Sequence, residues 1–98
     1  MDHLVDKLTQ EMAKFGKVTV AKKTKQLSFK NHSLFAHITI RPEEIDLEFI
    51  TPSLIKHTRL NQVKKIKTDK FRHTVLIKSD SDIDPQVLGW LRIAHATN

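Results

Sequence analysis

Two stretches of the chain concentrate positive charge almost without relief. Between Ala13 and Pro42 stand Lys14, Lys17, Lys22, Lys23, Lys25, Lys30 and Arg41, and no acid. Residues 56–78 carry Lys56, Arg59, Lys64, Lys65, Lys67, Lys70, Arg72 and Lys78 against Asp69 alone. A phosphate backbone responds to density of charge, through counterion release, rather than to a specific fork of donors. Lys22, Lys23, Lys25, Lys64, Lys65 and Lys67 are therefore the candidate anion- or nucleic-acid-binding residues, provided that the fold makes the two segments neighbours. The acidic segments 43–48 and 79–84 stand against them. A solvated lysine-rich surface accounts for the same pattern without any ligand. Phe29 and Phe71 both fall at inward positions of their strands, which leaves no aromatic platform for stacked bases.

Six histidines, His3, His32, His37, His57, His73 and His95, are the other versatile residues. None forms an HxH or HExxH spacing, and the chain has no cysteine, so the usual zinc ligand sets are missing. No metal and no cofactor is expected. There is no GxSxG elbow, no P-loop and no tyrosine, and the only glycines are Gly16 and Gly89, so the balance leans away from an enzyme. One polar constellation has suitable residue types: His37, Thr39, Arg41 and Glu48, which alternation puts on one face of a hairpin. An acid–base pair there needs a cleft above it, whereas cross-strand charge pairs on a wet face explain the same residues more simply. His73 lies on the apolar side of its strand, as a hydrogen-bonded core histidine would.

Asp80, Asp82 and Asp84 mimic a calcium loop at first sight, yet the glycine that turns such a loop and the bidentate Glu that closes it are missing. Asp84-Pro85 is better explained as a helix start, with a capping carboxylate followed by the residue whose missing N–H costs nothing there. The acids also complement the helix dipole.

The elements that must position these residues follow from spacing. Leu4, Leu8, Met12 and Phe15, with Val5 beside them, predict a first helix capped by Asp2 and stopped at Gly16. Val18 and Val20, then Leu27 and Phe29, alternate with polar residues and predict a hairpin of half-buried strands around residues 23–26. Asn31-His32-Ser33 is the next turn. In the middle hairpin the apolar set is Leu34, Ala36, Ile38 and Ile40 on one strand and Ile45, Leu47 and Phe49 on the other. A shared face requires Ile40 to oppose an odd-numbered residue, most simply Leu47, around a turn at Pro42-Glu43-Glu44-Ile45. Phe35, His37, Thr39, Arg41, Asp46, Glu48 and Ile50 then share the opposite face. Residues 52–70 are irregular, with a strand beginning near Val63. Phe71, His73, Val75 and Ile77 line the inner side of the last strand. The final helix buries Val87, Leu88, Leu91, Ala94 and His95, with Trp90 at the margin and Ile93 outside.

With 98 residues, 39% hydrophobic and 29% charged, and a net charge of +6 at pH 7, the chain has the profile of one soluble globular domain, 1–98. No apolar run is long enough to span a membrane, and the N-terminus carries acids where a signal peptide needs an apolar core. No membrane partner is expected. A reducing cytoplasm fits the absence of cysteine.

The run "FRHTVLIKSDSDIDPQVLGWLRIAHA" resembles the C-terminal part of the DUF5655 family of small uncharacterised domains. There a basic strand leads through S-x-x-D-I/V-D to a helix with a W-L-x-x-A core. The preceding "KQLSFKNHSLFAHITIRPEEIDLEF" is similar to the family's middle. One departure is Ala94-His95, where the family helix ends in A-Y. The resemblance implies a compact α+β domain that occurs alone or attached to larger proteins, some of them nuclease- or restriction-related, and it implies no activity. The fold expected is thus α+β: an N-terminal helix, an antiparallel sheet of five or six strands built from hairpins, and a C-terminal helix, both helices on one sheet face. The function expected is a non-catalytic binding or accessory domain for an anionic ligand or nucleic acid. A small-molecule site or enzyme around His37 and Arg41 is the alternative.

Overall fold

A computed structural model of the chain describes residues 2–98, Asp2 by its backbone alone, so the expected Asp2 cap lies outside the described side chains. The first apolar stripe becomes α1, Asp2–Ala13, with Leu4, Val5, Leu8 and Met12 buried. Its end is tightened by the Phe15 N–H donating to the Met12 carbonyl at 3.0 Å. Gly16 then turns the chain at a φ of 131°, a conformation that a Cβ would strain.

Six strands follow: β1 Thr19–Lys22, β2 Gln26–Lys30, β3 Leu34–Ile40, β4 Ile45–Thr51, β5 Leu60–Lys67 and β6 Lys70–Ile77. All neighbours are antiparallel, in the order β1-β2-β3-β4-β6-β5. After a short 3₁₀ turn at Asp80–Asp82, α2 runs from Pro85 to Thr97. The segment between β4 and β5 carries the chain past the place of β6, so β5 becomes an outer strand and β6 an inner one.

Both helices cover the same sheet face. Register aligns Phe29, Ala36, Phe49 and His73 in one row across β2, β3, β4 and β6, and Leu27, Ile38, Leu47 and Val75 in the next. The apolar members of these rows join Leu8, Met12, Val87 and Leu91 in one core, with His73 buried beside them. Phe49 stacks with His73 at 5.1 Å and with Trp90 at 5.6 Å. His95 fills the place of a core aromatic, edge-on to Phe35 at 5.2 Å, while its Nε2 is 2.9 Å from the Lys17 carbonyl that accepts its N–H.

Three expectations need correction. Ile40 pairs with Ile45 rather than Leu47, and Ile38 takes Leu47. The apolar pattern fixes only the parity of the pairing, and that parity holds. The turn is two residues tighter than expected, closing with the Arg41 N–H on the Glu44 carbonyl at 2.9 Å, which moves every pair by two.

Second, Leu34 and Phe35 exchange faces. Phe29 pairs with Ala36 and Lys30 with Leu34, so Phe35 is the extra residue of a β-bulge and turns into the core, where it is fully buried. Leu34 is left on the outer face.

Third, β1 is not half-buried. All four of its residues are exposed, Val20 included, because it lies at the sheet edge beyond the cover of the helices. At the other edge β5 starts at Leu60, three residues before the expected Val63, and is exposed along nearly its whole length.

Candidate functional site

The sheet face away from the helices carries the polar residues. Register places Ser28, His37, Glu48, Thr74 and Gln62 in one row across five strands. Thr39 opposes Asp46 in the adjoining row, and Ile50, Arg72 and Lys64 form the row on the other side. The expected cluster of His37, Thr39, Arg41 and Glu48 is thus brought together on one floor. Its internal pairing differs from expectation, with His37 rather than Thr39 opposite Glu48.

Glu48 is the hub of that floor. Its Oε2 lies 3.1 Å from Arg72 Nε, and its Oε1 lies 3.6 Å from His37 Nδ1, the latter beyond hydrogen-bond reach. Arg41 turns away to Asp46, donating from Nε to Oδ2 at 2.6 Å. A cavity of about 150 Å³ opens here, lined by Leu34, Ala36, His37, Glu48, Ile50 and Arg72. A second, of about 240 Å³, adjoins it through the shared Glu48 and Arg72 and reaches Thr39, Arg41, Gln62 and Lys64. Together they make a groove across β3, β4, β6 and β5. Arg72, which the sequence marks only as one of the basic residues of 56–78 with an outward phase shared with Thr74, joins this cluster in the structure. Only the β4–β6 pairing, which skips a strand in sequence, brings it to Glu48.

The two lysine trios do not meet. Lys22, Lys23 and Lys25 surround the β1–β2 turn, closed by the Lys23 N–H on the Gln26 carbonyl at 2.8 Å. Lys64, Lys65 and Lys67 lie on β5, the opposite edge. Five strand spacings separate those edges, roughly 24 Å. The trios also sit at opposite ends of the sheet, since Lys22 falls in the row of Leu27, Ile38, Leu47, Val75 and Leu60.

The β5 trio has cationic company instead. Lys64 opposes Arg72 and Lys67 opposes Lys70, so this hairpin sets like charges directly across from one another twice. Among the described residues, of these four only Arg72 has an acid at ion-pair distance.

The aspartates are fully employed in the fold. Asp84 Oδ1 caps α2 by accepting the Val87 N–H at 3.0 Å, and Arg59 Nη1 reaches its Oδ2 at 2.8 Å. The capping N–H, with Arg59, holds the Asp84 carboxyl below the usual range. Asp82 accepts the Lys78 N–H at 2.8 Å. His3 bonds Asp80 at 2.7 Å and, with Lys7, lowers its pKa. Among the described residues, no three His, Asp or Glu side chains gather in a way that could hold a metal ion. Among them, too, no helix is long and apolar enough to cross a membrane.

Element order, the single-sided helix layer and the open polar face define an α+β domain built around one antiparallel sheet. The chain belongs to the family described as Domain of unknown function (DUF5655), whose profile matches residues 2–98. No curated protein and no solved structure matches it.

Proposed function

We propose that this domain is a non-catalytic binding module that takes nucleic acid along the β5–β6 hairpin and the adjoining open sheet face. The register of that hairpin carries the proposal. Lys64 across from Arg72 and Lys67 across from Lys70 repel, each pair at a cost of up to about 1 kcal/mol, and β5 adds Lys65, opposite Phe71 on the other face of the strand. A polyanion laid along the hairpin removes this repulsion and gains from counterion release. The Lys22, Lys23 and Lys25 trio is too distant to share a compact site with it, and its role is solubility. The cytoplasm, where such polymers are met, is the compartment implied.

The test is anisotropy with fluorescent DNA and RNA strands across a salt series. Replacing Lys64, Lys65 and Lys67 with Glu should weaken binding to all sequences about equally and flatten the salt dependence. The same change at Lys22, Lys23 and Lys25 should do less, and His37→Ala should do little to binding of oligothymidylate. If the native domain has no affinity even at low salt, the charge is solubilising surface alone, and the groove around His37 and Glu48 becomes a small-molecule site.

A further inference from the structure

The groove next to the basic hairpin has a chemistry that lysines on a wet edge do not explain. Its smaller cavity combines the apolar side chains of Leu34 and Ile50 with His37, Glu48 and Arg72. The polar members stand in a fixed order, with His37 beside Oε1 of Glu48 and Arg72 beside Oε2. An imidazole and a guanidinium therefore flank two adjacent acceptor oxygens, and the Glu48 side chain is only 22% exposed. A free anion is disfavoured by the carboxylate. A simple cation is disfavoured by the guanidinium 3.1 Å from that carboxylate.

The complementary ligand presents two adjacent N–H donors with an acceptor beside them, on a flat and otherwise apolar ring. Among the bases of nucleic acids guanine has that edge: N1–H and the 2-amino group next to each other, with O6 alongside. Adenine and cytosine lack the pair of adjacent donors, and uracil has a single N–H between two carbonyls. Unpaired bases are read on this edge where they leave the stack. The cavity, about 150 Å³, is of the size of one base.

We propose that the cavity is a guanine site, with the Glu48 carboxylate accepting from N1–H and the 2-amino group and Arg72 or His37 donating to O6. It deepens the nucleic-acid reading and rests on it for biological context. Arg72 joins the two parts, since it lines the cavity and stands opposite Lys64 of the hairpin.

Nucleosides test the cavity without the hairpin, because they carry no phosphate. Titrating guanosine, inosine and adenosine into the ¹⁵N-labelled domain should show guanosine shifting the amides of β3, β4 and β6. Inosine, which lacks the 2-amino group, should bind about tenfold more weakly or worse, and adenosine not measurably. Glu48→Gln should abolish the preference for guanosine over inosine, while the Glu substitutions at Lys64, Lys65 and Lys67 should leave it intact. Equal response to the three nucleosides by the native domain, or no response at all, overturns the proposal, and this comparison needs no variant to fold. A guanosine preference that survives Glu48→Gln overturns it too. The hairpin is judged separately on oligothymidylate, a strand without guanine: if that binds and guanosine does not, the cavity assignment fails and the phosphate assignment stands.

Discussion

The Ile55 N–H donates to Nε2 of His73 at 3.0 Å, tying the segment between β4 and β5 to a ring buried in the sheet. Only a neutral imidazole can accept at that nitrogen. Burial lowers the pKa of His73 from its ordinary 6.5, partly opposed by the backbone carbonyls of Phe49 and Phe71. The folded chain therefore takes up this proton less readily than the unfolded chain does. Its contribution to stability is complete above about pH 6.5 and is lost as pH falls toward the lowered folded value. Urea midpoints should drop between pH 7.5 and 5.5. His73→Phe, which keeps a ring beside Phe49 but neither titrates nor accepts, should flatten that drop; an unchanged slope would assign the acid sensitivity elsewhere.

Leu8 and Leu91 come from the two helices and are both fully buried in the shared core. Truncating either to Ala should cost roughly 2–5 kcal/mol, combining lost burial with the cavity left behind. Urea denaturation of the two variants measures this directly. A loss under 1 kcal/mol for either would mean that its helix is not clamped to the sheet as described.

Asp84 joins two jobs, capping α2 and receiving Arg59. Asp84→Ala should cost roughly 0.5–2 kcal/mol, the usual loss of a cap. Asp84→Asn keeps the acceptor and should cost less, since its remaining loss is a partly exposed ion pair screened by solvent. The folded carboxyl titrates below 3.8, so its contribution is intact above about pH 4 and is lost as pH falls through the folded value. Thermal midpoints at pH 7 and pH 3 should converge for native and Asn chains at the acid end.

Binding to a single strand, if it runs through the β5 lysines, should carry a salt slope set by the number of phosphates met. Each contact contributes about 0.7 to that slope, so losing three should reduce it by about 2. A trio variant with weaker binding but an unaltered slope would point to a folding defect rather than lost contacts.

How far the chain could be interpreted in advance depended on whether one face of a segment is dry. Where it is, as in β3 and β4, alternation gave the parity of Ile38, Leu47 and Phe49 correctly, because a one-residue slip would expose them all. It could not give the register within that parity, which the length of the Arg41–Glu44 turn decides. Phe35 defeated alternation because a bulge adds a residue without any mark in composition. Along β5 the exposed pattern of Val63 and Ile66 among lysines left no periodic signal from which to place its start. The polar floor was visible on β3 and β4, whose pairing is local. Arg72 was not, since its approach to Glu48 depends on the nonlocal place of β6.

β1 and β5 leave the sheet with two unlike free margins. Copies joined margin to unlike margin would not close on themselves; they would extend as a filament, each addition presenting the same margin again. Lys22 on one margin and Lys64, Lys65 and Lys67 on the other give both margins the same sign of charge, which opposes their approach. Reversing the charge of β5 while leaving β1 basic would turn the repelling margins into a matched pair. The variant that best reports on phosphate contact is therefore also the one most disposed to polymerise, and light scattering should distinguish the two effects.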